Sequence, residues 1–465
     1  MFNLMSMLFA SPRSVLPEYF PHVPQAPLPS DLLWIVAHAC PFPLFLIITL
    51  LYLLYIFVEV VITIAFGIPG PRPSWSITTR IIHAVVKAMT TAIPLQSRHS
   101  YTVMRMASAL SIPAWLCSAY VEDIDISMDN NILWDQVWQC VTADSNMEPH
   151  NTCRIRKYSD KSMIKGEWVI HWDVEVKLKE ESHLAIFLHG GYAGSRKSHR
   201  HLVANISKSI NGPVLVIEYT LAPEAMFPVS LFQSIQTYQT LVETSLSVPC
   251  SAAFFTNPTS SSPFKPSQIT IMGDSSGGCL ALETLLLLPR LNIPTPNSGV
   301  LLSPNTDIRM IENPSMHLNF ESDLLSFDRT GYGFSKSEYA GPEFPDTHPI
   351  LSPCFQTDFS GVPRLLIQVG DAEVLMDDSL YLFGAIAKSK RGPSVELQIW
   401  KDCFHVWQMF PGGVGQEAID EIGKFVKGRA VGLVLDTFTR FLHGSDEMLK
   451  LSKEESRRRG FESAI

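Results

Sequence analysis

The stretch Gln268-Ile269-Thr270-Ile271-Met272-Gly273-Asp274-Ser275-Ser276-Gly277-Gly278-Cys279-Leu280-Ala281-Leu282-Glu283 decides the fold. It opens as a short β-branched run and closes as a pattern for a buried helix, with Gly-x-Ser-x-Gly between them. A chain that reverses that sharply tolerates only small residues beside the turn, which accounts for Gly273 and Gly277. The turn lifts the Ser275 hydroxyl above a sheet and aims the backbone N–H of Ser276 at the same space. The same five-residue pattern also arises in ordinary Gly/Ser loops, so its meaning depends on its flanks and on partners elsewhere in the chain.

Outward from this turn, short apolar runs alternate with helical stretches. From Gly166 the period becomes two, with 168–177 reading as a half-buried strand. Further strands are expected at 184–188, 214–219, 268–272, 300–302, 365–369 and 395–400. That rhythm predicts an α/β fold with a mostly parallel sheet over 150–435. The Pro/Ser-rich segment 247–266 is a loop, and the long, weakly patterned 305–350 suits a cap insert. Upstream, 76–120 has helical periodicity, with Ile81, Ile82, Val85, Val86 and Met89 on apolar faces, which places cap helices at 76–125. Residues 440–465 form a charged tail carrying Arg457-Arg458-Arg459.

Composition limits the partners. A net charge of −9 provides no basic field for nucleic acid. The eight cysteines include no Cys-x-x-Cys pair, which argues against zinc and against a small disulfide scaffold; one or two disulfides remain compatible with an oxidising lumen. Neither a metal nor a cofactor is expected. After the N-terminal segment 1–42 comes a run at 43–66 broken only by Glu59, long enough as a helix to cross a bilayer core of about 30 Å. It lies too far in, and is too long, for a cleaved signal peptide. The expectation is a single-pass anchor; a core helix is the alternative. Arg72, Arg80 and Lys87 outnumber Arg13 across this run, which favours a cytosolic catalytic domain. The sequon Asn205-Ile206-Ser207 points to the lumen but lies in an expected helix.

A serine hydroxyl is a poor nucleophile at neutral pH and needs a base, an orienting acid and donors for the oxyanion. Each has a candidate just after a strand. His189-Gly190-Gly191 follows 184–188, and its two glycines leave backbone N–H groups open to a ligand. His405 lies five positions past the last expected strand. Gly370-Asp371-Ala372-Glu373 follows 365–369, and the pattern alone does not choose between Asp371 and Glu373. The order serine, acid, histidine is that of α/β-hydrolases.

These pieces together resemble the hormone-sensitive lipase family of α/β-hydrolases, the group that includes arylacetamide deacetylase and fungal sterol deacetylases. The matching residues are His189-Gly190-Gly191, Tyr219-Thr220-Leu221-Ala222-Pro223-Glu224 with Phe227-Pro228, Gly273-Asp274-Ser275-Ser276-Gly277-Gly278, His348-Pro349-Ile350-Leu351-Ser352-Pro353, Glu373-Val374-Leu375-Met376-Asp377 and His405. The resemblance covers roughly 165–430. It implies Ser275 as nucleophile, His405 as base, Glu373 as acid with Asp377 in support, and Gly190, Gly191 and Ser276 as oxyanion donors. Tyr192 stands where the family has a third glycine, and Thr220 where arginine is common.

The implied activity is that of a membrane-anchored serine esterase, releasing short acyl groups, acetyl especially, from small hydrophobic esters. An amidase on the same triad and a non-catalytic ligand-binding protein of this fold are the alternatives. The resemblance also suggests the endoplasmic reticulum, and the family's lumenal members pull against the charges that follow 43–66.

Overall fold

The computed structural model describes residues 42–67, 70–92, 108, 113–143, 163–174, 183–191, 194–222, 224–243, 264–309, 313–325, 339–341, 344–410, 412–428 and 437–441. In chain order these form α1 (Phe42–Ala65), α2 (Ile77–Ala92), β1 (Ala119–Ser127), α3 (Asn131–Thr142), β2 (Met163–His171), β3 (Leu184–Leu188), α4 (Arg200–Ile210), β4 (Val214–Ile217), α5 (Val229–Glu243), β5 (Ile269–Asp274), α6 (Ser275–Arg290), β6 (Ser298–Leu302), α7 (Pro314–Leu318), β7 (Arg364–Gly370), α8 (Met376–Lys388), β8 (Val395–Trp400), α9 (Gly413–Val426) and β9 (Thr437–Phe441).

All nine of these strands join one sheet in the order β1-β2-β4-β3-β5-β6-β7-β8-β9. The run from β4 to β8 is parallel, and β1, β2 and β9 pair antiparallel at the two ends. The central strands are buried on both faces, so they read as continuous apolar runs. Alternate residues divide between two cores. Ile186, Leu188, Ile271, Leu301 and Ile367 pack on the face covered by α3, α5, α6 and α8. Phe187, Met272, Val300, Leu302 and Leu366 pack on the face covered by α4 and α9.

Topology places the site. The chain leaves β3 for β4 on one side, then returns across β3 to enter β5 on the other. A crevice opens where the direction reverses, between the carboxyl ends of β3 and β5. The loop carrying Gly190 and the turn carrying Ser275 are the two lips of that crevice.

Several expected boundaries move. The strand expected at 168–177 is β2, which starts at Met163 and gives way to a turn after His171, and the strand expected at 214–219 ends at Ile217. Residues 119–125, expected among cap helices, lie in β1, and the sheet therefore begins upstream of residue 150. The edge position of β1 lets Glu122, Asp123 and Asp125 stay exposed while Ile126 is buried. At the other end, β9 carries the sheet past the expected limit at 435.

The helix expected at 43–66 is present as α1, and its residues Ile47, Leu50, Leu54, Phe57 and Val61 are exposed. Several of its other side chains lie outside the described residues, and among the described residues no helix is long and apolar enough to cross a membrane. Helix α2 does lie where a cap element was expected. Its His83 Nε2 meets the backbone carbonyl of Asp323 at 3.1 Å, and Lys87 donates to the carbonyl of Phe320. Much of the expected insert at 305–350, and with it 326–338, lies outside the described residues, as does Tyr192. Cys117, Cys140, Cys279, Cys354 and Cys403 carry free thiols.

Candidate active site

Ser275 sits between the last residue of β5 and the first turn of α6 with φ +54°. A non-glycine residue held there is strained, and such strain concentrates at functional turns. The turn is possible because its neighbours have no side chains. A Cβ on Gly277 would run into the carbonyls of Leu188 and His189, and one on Gly273 into the carbonyl of Gly277. Ser275 is half-buried. The N–H of Ser276, in the first turn of α6, belongs to the set of donors that a helix leaves without an internal partner.

The loop after β3 faces this turn. Gly191 adopts φ +78°, and its N–H donates to Ser276 Oγ at 3.1 Å. Gly190 requires a correction. Its N–H donates to Asp274 Oδ1 at 2.8 Å, so it ties the loop to the end of β5 instead of facing the space above Ser275. A Cβ at Gly190 would also strike Asp274 and Ser275, so glycine is needed there for close approach. Asp274 is buried and meets His199 Nε2 at 3.3 Å. Burial pushes the Asp274 carboxyl up, but His199 and the Gly190 N–H outweigh it and leave it below the usual carboxylate range. His189 is pushed down to about 3, mostly by burial and then by His199, and so stacks on Tyr219 as a neutral ring.

The loops after β7 and β8 bring the acid and the histidine together. His405 Nδ1 lies 2.9 Å from Glu373 Oε2, and the other carboxylate oxygen, Oε1, accepts the Gly370 N–H at 2.7 Å. Glu373 is fully buried and His405 nearly so. Asp371 points elsewhere, with Oδ1 accepting the Asp402 N–H at 2.7 Å. The Asp377 carboxylate accepts the Ser315 N–H, and the Asp377 backbone N–H donates to the Ser315 hydroxyl oxygen, holding α7 against α8. Burial drives the His405 pKa down. The hydrogen bond and charge of Glu373, followed by the charges of Asp323 and Asp274, drive it up, and the balance lies above the ordinary histidine value.

Ser275 and His405 flank the end of β6. Asp274 pairs with Leu302, and the next residue, Ser303, accepts the Val406 N–H through its hydroxyl at 3.2 Å. No hydrogen bond joins Ser275 to His405 among the described residues. Such contacts are commonly long before substrate binds.

One residue in this cluster has no sequence signature. Asp323 is fully buried. Its Oδ1 accepts the N–H groups of His405 at 2.8 Å and Leu324 at 2.7 Å, and its Oδ2 accepts that of Val374 at 2.7 Å. It thus clamps the backbones of the acid and histidine loops. Burial, opposed by His405 and reinforced by Glu373, pushes it up to about 6. His348 and Ser352 of the His-Pro-Ile-Leu-Ser-Pro segment serve structure, binding the carbonyls of Val141 and Asp346.

A groove of about 310 Å³ lined by Lys208, Asp420, Lys424 and Lys427 lies where α4 precedes β4, at the opposite edge of the sheet from Ser275. A smaller cavity of about 60 Å³ lies against Ser276.

The sequence pattern of the α/β hydrolase fold matches residues 185–409. An acetyl-hydrolase of Streptomyces hygroscopicus is 30% identical over 253 residues, 54% of this chain and 77% of that protein. The hormone-sensitive lipase of Bos taurus is 29% identical over 170 residues, 36% of this chain and 20% of that protein. A solved hormone-sensitive lipase homologue from a metagenome library covers 71% of this chain and 98% of its own, at 24% identity and a TM-score of 0.50, a likeness of fold. With the strand–turn–helix at Ser275 and the loops around it, these similarities establish that the chain belongs to the hormone-sensitive lipase family of α/β-hydrolases, a group of esterases and related hydrolases.

Proposed function

We propose that the protein is a serine esterase that removes short acyl groups, acetyl in particular, from hydrophobic alcohols. The observation that carries this reading is the buried contact of 2.9 Å between His405 Nδ1 and Glu373 Oε2, beside the strained turn at Ser275. His405 Nε2 takes the Ser275 proton as Oγ attacks the ester carbonyl, and Glu373 holds the resulting imidazolium. The N–H group of Ser276 receives the oxyanion, joined by that of Gly191 once it exchanges Ser276 Oγ for the substrate oxygen. Collapse expels the alcohol, which takes the proton from His405 and leaves an acyl-serine. Water, deprotonated by the same histidine, then releases the acid and restores Ser275. The likeness to the acetyl-hydrolase of Streptomyces hygroscopicus supports the acetyl preference.

Anchoring by α1 belongs to the same proposal and rests on the apolar run at 43–66 and its exposed side chains. Release of the protein by alkaline carbonate wash would argue against the anchor. For the chemistry, purified enzyme is incubated with a panel of acetylated hydrophobic alcohols. Acetate release by wild type that vanishes in Ser275→Ala supports the reading; equal release by both proteins refutes it.

A further inference from the structure

Helix α6 carries a second chemical feature on the face that begins at Ser276. Ser276, Cys279, Leu280 and Glu283 follow one another at helical spacing, and all four line the cavity of about 60 Å³. The opposite wall includes Thr220, Asn305 and Tyr339. Glu283 lies about two turns, or about 10 Å, along the helix from Ser276. Its side chain is 1% exposed. Oε1 has only the thiol of Cys279 at 3.5 Å, a weak donor, and Oε2 has no hydrogen-bond partner among the described residues. A buried carboxyl without partners is costly, and it persists where something is meant to meet it.

From this geometry we infer that the Glu283 cavity is a subsite for a hydroxyl group carried on the substrate's aliphatic chain, about two helical turns from the reacting ester. The inference rests on the esterase reading above and adds to it a substrate class: esters with a free hydroxyl remote from the carbonyl. The volume is enough for about four water-sized groups, which suits the hydroxylated end of a slender chain. The charge state selects the same partner. Burial pushes Glu283 up to about 8, and only the Cys279 contact opposes it, so the group is a neutral acid near pH 7. A neutral carboxyl both donates and accepts, as a hydroxyl does, and the pair satisfies both. An ammonium group would instead enter a site that disfavours charge.

The hydroxyl can reside on the alcohol or on the acyl part of the ester, and two matched pairs separate these sources. One pair is hexyl acetate and 6-hydroxyhexyl acetate; the other is methyl hexanoate and methyl 6-hydroxyhexanoate. The quantity read is the kcat/KM ratio, hydroxylated over plain, for wild type, Glu283→Gln and Glu283→Leu. In one of the pairs, wild type is expected to favour the hydroxylated ester about tenfold, the size of one neutral hydrogen bond. Glu283→Gln should keep most of that preference and Glu283→Leu should abolish it. Fluorophosphonate labelling of each variant reports whether it is folded, and the glutamine variant serves if the leucine variant is not. Hydrolysis by wild type without preference in either pair, or a preference that survives Glu283→Leu, overturns the subsite while leaving the esterase intact. No hydrolysis of any of the four esters by untreated wild type overturns both, whether or not a separate sample takes up the fluorophosphonate.

Discussion

Replacing Glu373 by glutamine keeps the shape of a fully buried side chain, but it removes a charge and turns one of the two oxygens that face the Gly370 N–H and His405 Nδ1 into an amide donor. The carboxylate faces His405 Nδ1 at 2.9 Å. At an effective dielectric of about 20, two unit charges at that separation attract by about 6 kcal/mol. The imidazolium forms only as the reaction proceeds, so the loss falls on the transition state and corresponds to about four decades in kcat/KM. Asp371→Asn is the control. That carboxylate accepts the Asp402 N–H and does not touch the histidine, and asparagine retains an acceptor, so the loss should stay below about tenfold. The assay is kcat/KM for p-nitrophenyl acetate from pH 5 to 9. His405 must be neutral to act as a base, so activity falls as pH drops through its pKa. Glu373 helps to hold that pKa above the ordinary value, and its loss therefore moves the acid limb of Glu373→Gln to lower pH. Equal losses in the two variants, a larger loss at Asp371, or an acid limb that moves upward would refute the reasoning.

Asp323→Asn should lower kcat about ten- to a hundredfold and move the acid limb downward, since it removes a charge that raises His405 and leaves the Val374 N–H facing an amide nitrogen; an unchanged pH profile would count against this role. Gly277→Ala should cost roughly 3 kcal/mol or more in urea unfolding, because its Cβ meets the backbone of the β3 end rather than a movable side chain; a wild-type midpoint would contradict the packing at the turn. Glu167, with no exposed surface, accepts Arg200 Nε at 2.7 Å, Arg200 Nη2 at 2.6 Å and Arg196 Nη1 at 3.1 Å. Glu167→Gln should therefore destabilise by about 3–5 kcal/mol in thermal unfolding while activity per folded molecule stays near wild type; an unchanged Tm would show the cluster to be dispensable.

The central strands were legible because they are buried on both faces. The run at 395–400 coincides with β8, and 365–369 falls within β7, each a short apolar stretch bounded by turn residues. β1 was missed because an edge strand carries its acidic residues outward and follows a segment of helical periodicity. At the site, a strand-end position singled out His405, and the geometry distinguishes Glu373 from Asp371, which periodicity left equivalent. Asp323 had no local signal. It lies 50 positions before Glu373 and 82 before His405, in an insert of weak pattern, and only tertiary structure brings it there. Gly190 was legible as a glycine required for close approach, yet whether its N–H serves a ligand or Asp274 depends on a contact 84 positions away. Glu283 did have a signal: the one charged residue in the Leu280–Leu288 stretch of a buried helix, where only Thr284 is otherwise polar.

The most direct measurement is peptide mapping by mass spectrometry after treating the folded full-length protein with diisopropyl fluorophosphate. A hydroxyl activated by His405 should carry one diisopropylphosphoryl group, on Ser275, and the adduct should form far more slowly in His405→Ala. An intact wild type after prolonged exposure, or an adduct on a residue other than Ser275, would contradict the account.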